Sequence, residues 1–361
     1  MRYLTAGESH GPQLTAIIEG IPSGLTLTAA MINVDLKRRQ EVDGRGGRMK
    51  IEQDEVQIVS GVRHGITLGS PITVVIPNKD FENNRQLMSV EMADGYETST
   101  KTVPRAGHAD LSGAIKYNHK DLQNVLERAS ARETAIRVAI GAICKQILKQ
   151  LDIEIVSEVT QIGTVTSENE NITGEMKRAM DEAKTAGNSL GGKVRMVATG
   201  LPIGVGSYVH CDRKIDAKLA HDVMSVQLVK GVKFGENQTF LGSTTHDQIA
   251  YDKDQGFHRL TNHSGGIEGG MTTGMPIVIH VEVKPIPTLY TPIDSVDIVT
   301  KEVKPSMIER SDTCGVPAVA VILESVVATT LTQEILNQFT SDTMIQLKGQ
   351  VAYHRKYTQS F

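Results

Sequence analysis

The chain has 361 residues, 39% of them hydrophobic and 22% charged, with a formal net charge of −4: enough apolar residue for a core of its own, and no global attraction to nucleic acid or to an anionic membrane. Aromatic residues make up only 4% and Trp is absent, which excludes rows of stacking platforms for single strands. Cys144, Cys211 and Cys314 stand too far apart for a disulfide framework or a CxxC zinc site, no apolar run is read as approaching the roughly 20 residues of a bilayer span, and no signal-peptide pattern opens the chain, so a reduced, cytoplasmic protein without a metal is expected.

In chain order, strand-like alternation is expected at 11–19, 54–61 and 70–77, bounded by Gly and Pro. A long helix follows from about 124 to 151, apolar on most faces through Ala131, Ala135, Val138, Ala139, Ala142, Ile143 and Ile147. Shorter amphipathic helices at 174–186 and 214–229 flank a strand at 193–199. Ile277, Ile279, Val281 and Val283 then share one strand face, with Val278, His280 and Glu282 on the other. A second long helix, dense in Ala and Val, is expected from about 316 to 339. Small residues let backbones approach, so both long helices suit the middle of a layered α+β core, and the whole of 1–361 is read as a single domain. Glu127-Arg128-Ala129-Ser130 before one helix and Glu309-Arg310-Ser311 before the other suggest an internal pseudo-twofold with each Arg aimed at a shared cleft; chance is the alternative.

Gly7-Glu8-Ser9-His10-Gly11 places an uncrowded imidazole between two expected strands, a candidate proton donor or a structural turn. The densest positive cluster is Lys37, Arg38, Arg39, Arg45, Arg48 and Lys50, interleaved with Gly44, Gly46 and Gly47; it reads as an anion-binding loop or as a solvated basic loop. His108 lies in Arg105-Ala106-Gly107-His108-Ala109-Asp110, again after Gly and beside charge. Arg128 and Arg132, four apart, share a helix face pressed against the protein body, where their partners are carboxylates or a ligand anion. Lys284-Pro285-Ile286-Pro287-Thr288 is a stiff turn that holds one lysine in place. Asp342, after the second long helix, has the composition of an N-cap for the last one. No strand–GxGxxG–helix unit and no GxxxxGK[ST] loop is present, so a bound flavin would sit outside a Rossmann crossover.

Residues 7–12, Arg38-Arg39-Gln40 with 44–48, and then 107–110, 130–134, 265–270, 284–288 and 309–312 together make a chain that resembles the chorismate synthase family over essentially its whole length. The resemblance implies a β-α-β sandwich with long buried helices between antiparallel sheets, forming a homotetramer. It implies a carbon–oxygen lyase of the shikimate pathway, eliminating phosphate from 5-enolpyruvylshikimate 3-phosphate in an anti-1,4 sense, with reduced FMN lending electron density and its N5 taking the proton. NADPH, or a separate flavin reductase, would supply the reduced flavin. It further implies His10, His108 and Asp342 as catalytic residues, the first protonating the departing phosphate, the second set against the flavin and the third supporting proton removal. Ser9, Arg39, Arg45, Arg48 and Arg132 are implied for the substrate, and Arg128, Ser130, Gly274, Lys284, Pro285, Ile286, Pro287, Thr288 and Arg310 for the flavin. The chain departs from the family pattern at Glu41-Val42-Asp43 for Gly-Gly-Tyr, Ala106 for Pro, Ala129 for Ser, and Gln227-Leu228 for Asn-Ala; the last two are left out of the expected site. A flavin oxidoreductase and an anion- or RNA-binding protein using the 37–50 loop are the rival readings.

Overall fold

The computed structural model describes residues 1–44, 53–92, 100–167, 172–236 and 241–361. Arg45 and Arg48 therefore lie outside the described residues. Within them the chain is a mixed helix and sheet protein of the α+β kind.

The first sheet is antiparallel and built from β1 (Arg2–Ala6), β2 (Gln13–Glu19), β3 (Gln57–Ile58) and β4 (Ile72–Pro77), in the order β1-β2-β4-β3. Gly7 turns β1 toward β2 at φ +111°, where a Cβ would stand 2.4 Å from the Gln13 carbonyl oxygen, so only glycine closes this turn. Helix α1 (Ala29–Gln40) is capped by the Thr28 hydroxyl, which accepts from the Met31 amide. Next come α2 (Asp110–Tyr117), α3 (Gln123–Ala129) and α4 (Thr134–Lys149). The second sheet is also antiparallel: β5 (Glu154–Ile162), β6 (Val165–Thr166), β7 (Gly192–Thr199), β8 (Val229–Phe234) and β9 (Ile277–Val283), in the order β8-β9-β7-β5-β6. Its register sets Val159, Val194 and Val281 side by side, all buried. Helices α5 (Gly174–Thr185) and α6 (Ile215–Met224) accompany this sheet, and α7 (Val316–Gln338) and α8 (Met344–Ser360) end the chain.

Helix α4 packs on β2 and β4, α7 packs on β5 and β7, and the two helices pack on each other, so one continuous core runs between the sheets. Gly141 makes this approach possible, since a Cβ there would lie 2.3 Å from Ser325 Cβ and 2.4 Å from its Cα. Helix α7 corrects one expectation. It is 23 residues long with a window of mean hydropathy 1.5, so by length and composition it does reach spanning size; yet 94% of that window is buried inside the protein. The helix expected over 124–151 is broken at Ser130, whose backbone is extended (φ −60°, ψ 140°) and whose hydroxyl accepts from the Arg132 amide. Apart from the two-residue edge strand β6, the two sheets share one order, first-second-fourth-third (β1-β2-β4-β3 and β5-β7-β9-β8), with a helix, α1 or α6, between the second and third strands and a long helix, α4 or α7, after the fourth, so the strand order repeats as the expected pseudo-twofold requires.

Candidate active site

A cavity of about 430 Å³ opens where the two long helices begin, a volume suited to a small-molecule ligand. The first turn of α4 and the first turns of α7 form one wall through Thr134, Gly315, Ala318, Val319 and Ile322. Helix N-termini present unpaired N–H groups, which favour anions. Arg39, Arg105, Arg132, Lys284 and Arg310 line the same space against Glu309 and Asp312, a strong local excess of positive charge in an acidic chain.

The turn bearing Ser9 and His10 is clamped from two sides. Asn78 Nδ2 donates to the carbonyls of Glu8 and Gly11, at 3.2 and 2.7 Å. On the other side, the Glu127 carboxylate takes the His10 amide at 2.8 Å and His10 Nδ1 at 2.8 Å, with a further hydrogen bond from Gln123. Burial pushes the Glu127 carboxyl up, but the hydrogen bonds from His10 outweigh it and hold the group below its ordinary value. Ser130 Oγ lies 3.2 Å from Ser9 Oγ.

The second imidazole is held differently. His108 Nδ1 stands 2.5 Å from Asp110 Oδ1, while Arg105 donates through its backbone N, Nε and Nη2 to the same carboxylate at 3.0, 2.9 and 3.1 Å. Asp110 is fully buried; burial raises its carboxyl, and the hydrogen bonds from His108 and Arg105 overcome this and hold it well below the usual carboxylate range. The loop carrying both is tied down by Ser295 Oγ, which donates to Pro104 O at 2.6 Å, and by Thr102 Oγ1, which donates to Asp297 at 2.9 Å.

The basic cluster divides along α1 because successive helical residues point about 100° apart. Lys37 faces solvent beside Glu41, and the half-exposed Arg38 makes a bidentate pair with the buried Glu324 at 2.7 and 2.9 Å. Arg39 turns to the cavity wall, donating to Thr134 Oγ1 and Ala131 O. Arg132 closes on Asp54 at 2.6 Å and on Asn78 Oδ1 at 3.0 and 2.7 Å; Arg39 reaches the same Asp54 at 3.5 Å. Asp43, one of the departures, pairs with Lys177 at 3.3 Å. Gly44, at φ +83°, sets its carbonyl 3.2 Å from the Thr313 amide and so brings the end of the described 1–44 segment beside residues 312–314.

Lys284 donates to Gly107 O, joining the 284–288 turn to the His108 loop; desolvation, helped by Lys230, pulls its ammonium below the ordinary lysine value. Ile286, Pro287 and Thr288 line the cavity with it, whereas Pro285 is exposed and does not. Arg310 lines the cavity and reaches Asp80 at 3.5 Å. Of the other expected residues, Ser9, His10, Arg39, His108, Ser130 and Arg132 all meet there. Three do not. Arg128 points back to Gly7 O and Thr5 Oγ1, at 2.9 and 2.8 Å, because the break at Ser130 turns Arg132 rather than Arg128 inward. Gly274 is exposed and packs near Ile203. Asp342 is exposed, its carbonyl taking the Ser23 amide at 2.9 Å, and the cap of α8 is Thr343 instead.

Lining residues outside the expected set include Asp312, Gln227, Leu228 and Ala129, besides Arg105 and Glu309. Asp312 is in the cavity, and the reason for the error is visible: Ser-Asp-Thr occurs twice, at 311–313 and at 341–343. Gln227 and Leu228, set aside as departures, line the cavity, and so does Ala129. Among the described residues Gln227 Oε1 is buried with no hydrogen-bond partner, although its Nε2 donates to Glu133 at 2.9 Å.

A cationic cleft at two helix N-termini, holding two imidazoles each seated on a buried carboxylate, defines an α+β protein built to gather a small polyanion and manage its protons. The sequence profile described as chorismate synthase matches residues 1–336. The chain is 52% identical to "Chorismate synthase 1" of Bacillus anthracis and 51% identical to "Chorismate synthase" of Geobacillus sp. (strain WCH70), each over 100% of both chains. A crystal structure of a chorismate synthase superposes with a TM-score of 0.80 at 36% identity, covering 100% of this chain and 98% of that one. The chain belongs to the chorismate synthase family. Its reaction is accordingly a lyase step of the shikimate pathway, the elimination of phosphate from 5-enolpyruvylshikimate 3-phosphate to give chorismate. The family implies a requirement for reduced flavin.

Proposed function

We propose that this cavity is where the elimination takes place, that the flavin is reduced FMN, and that the residues divide into anion holders and proton handlers. The observation that carries the reading is the convergence of His10, His108, Arg39, Arg132, Lys284 and Arg310 on one cavity wall. Arg39 and Arg132, fixed on Asp54, are buried cations set for the substrate's phosphate and carboxylates, with Ser9 beside them; Arg45 and Arg48 keep their assignment to the same anions. Lys284, Arg310, Thr288 and Ser130 would hold the flavin. The fit of an isoalloxazine rests on the apolar wall of Leu228, Ile286, Val319 and Ile322, and on Gln227 Oε1, a buried acceptor that lacks a donor among the described residues. Reduced FMN, when bound, supplies electron density to the breaking C–O bond. His10 delivers a proton to the departing phosphate. His108, with Nδ1 committed to Asp110, offers only Nε2 to the ligand side. Asp312 takes the proton-removal role first assigned to Asp342, since it lines the cavity and Asp342 does not, while the other lining carboxylate, Glu309, is paired with Lys101.

At the level of the molecule, the helices between sheets support the family's β-α-β sandwich, with the continuous core supporting one domain over 1–361. A cytoplasmic homotetramer, receiving its reduced flavin through NADPH or a separate reductase, completes the proposal. The test is anaerobic: the protein is mixed with dithionite-reduced FMN and 5-enolpyruvylshikimate 3-phosphate, and phosphate and chorismate are assayed together. Equal amounts of both, dependent on reduced FMN, are expected. Net oxidation of the substrate in place of phosphate release would overturn the lyase reading. His10→Ala should lower turnover by about 10²-fold or more while FMN still binds.

A further inference from the structure

The two imidazole–carboxylate pairs look alike and are electrostatically different. Asp110 already has a permanent counter-charge, the Arg105 guanidinium at 2.9 Å. Glu127 has none: among the described residues no Lys or Arg pairs with it, Gln123 is neutral, and His10 is its ion-pair partner. The two other buried arginines of the same cavity, Arg39 and Arg132, face Asp54 and make no ion pair with Glu127. A buried carboxylate without a counter-charge is strongly disfavoured. Glu127 also lines a second, open pocket of about 530 Å³ together with Glu8 and Asp121, so its other face looks away from the cavity toward more carboxylates.

We propose that Glu127 is the positioning residue of His10: it holds the ring's Nδ1–H and so leaves Nε2 as the nitrogen that carries the catalytic proton to the cavity. This rests on the reading of His10 as the acid toward phosphate. Nδ1–H stays on Glu127, which aims Nε2–H into the cavity. As the C–O bond breaks, the Nε2 proton passes to a phosphate oxygen, and the ring is left neutral with its Nδ1–H still on the carboxylate. Nε2 is the emptied site, so the next proton reaches it from water on the cavity side once phosphate has left.

The decisive measurement is 15N NMR of the full-length protein with labelled histidine at pH 7.5, His10 being assigned by its loss in His10→Gln. A proton on Nδ1 of His10 is expected; a ring protonated on Nε2 alone overturns the proposal, and this needs no Glu127 variant to fold. Glu127→Gln should then weaken the preference for Nδ1–H, leave substrate affinity within about threefold, and slow single-turnover chorismate formation with saturating reduced FMN by about 10²-fold. Unchanged single-turnover rate in Glu127→Gln, with His10→Ala impaired, would overturn this inference alone. An unimpaired His10→Ala would remove the acid role of His10 and this inference with it.

Discussion

The cavity is assembled from residues whose chemistry is set by the group behind them. Arg39, Arg132, His10 and His108 each rest on a buried Asp or Glu, so their geometry is fixed before any ligand arrives and little rotamer entropy remains to be lost. Lys284 is the exception, anchored to a carbonyl rather than a carboxylate and partly desolvated. At this scale the two Ser-Asp-Thr segments give a direct test. Asp312→Asn should cut turnover by about 10²-fold, and Asp342→Asn should stay within about twofold, read from steady-state chorismate formation. The reverse ranking would return the role to Asp342. Which aspartate faces the ligand was not legible, because an identical tripeptide carries no address. The histidines were legible as uncrowded residues after Gly, but their carboxylates lie 117 positions away in one case and two in the other.

Among the elements, α4 and α7 carry most of the core, and their contact depends on Gly141. Gly141→Ala gains up to about 1 kcal/mol of helix propensity but drives a methyl into the Ser325 backbone, and overpacking of this kind costs about 1–3 kcal/mol or more. The clash wins. Denaturant unfolding should show a net loss, and adding Ser325→Gly should not restore it, because the Ser325 Cα and carbonyl are themselves in the way. The helices are also joined by a buried charge cluster: Glu324 of α7 meets Arg38 of α1, Lys145 of α4 and the Ser157 hydroxyl of β5. Burial raises the Glu324 carboxyl, and the Arg38 and Lys145 interactions overcome that and hold it below its ordinary value. Its stabilisation is therefore complete above the unfolded carboxylate value near 4.3 and is lost as pH falls through the lower folded value. Glu324→Gln should cost about 3 kcal/mol at pH 7, the half-exposed Arg38 softening the loss, and should flatten the decline of stability with acid. An equally steep acid decline in the variant would rule the cluster out as its source. The break at Ser130 had a signal that was passed over: Ser130-Ala131-Arg132-Glu133 has the spacing of a capping box, which marks a helix start inside what periodicity alone reads as one helix.

Over the whole molecule, burial decides reactivity. Cys144 and Cys314 are enclosed, their thiols pushed up to about 12 and about 11, while Cys211 is exposed. Native protein should therefore give one thiol to a disulfide reagent and all three after denaturation; more than one fast thiol would mean the core opens readily. The sequence by itself determined the mixed α+β content, both long helices to within a few residues apart from one break, the inward row of β9, and the kinds of side chain that handle anions and protons. These follow from periodicity and from local chemistry, which a linear pattern records. It left β5 unrecognised, and it did not separate Arg38 from Arg39 or Arg128 from Arg132. Only tertiary structure made those distinctions. Two residues adjacent or one turn apart can differ wholly in role when a helix rotates by 100° per residue or breaks at one serine, and which of them meets the ligand depends on packing partners 54 to 286 positions away.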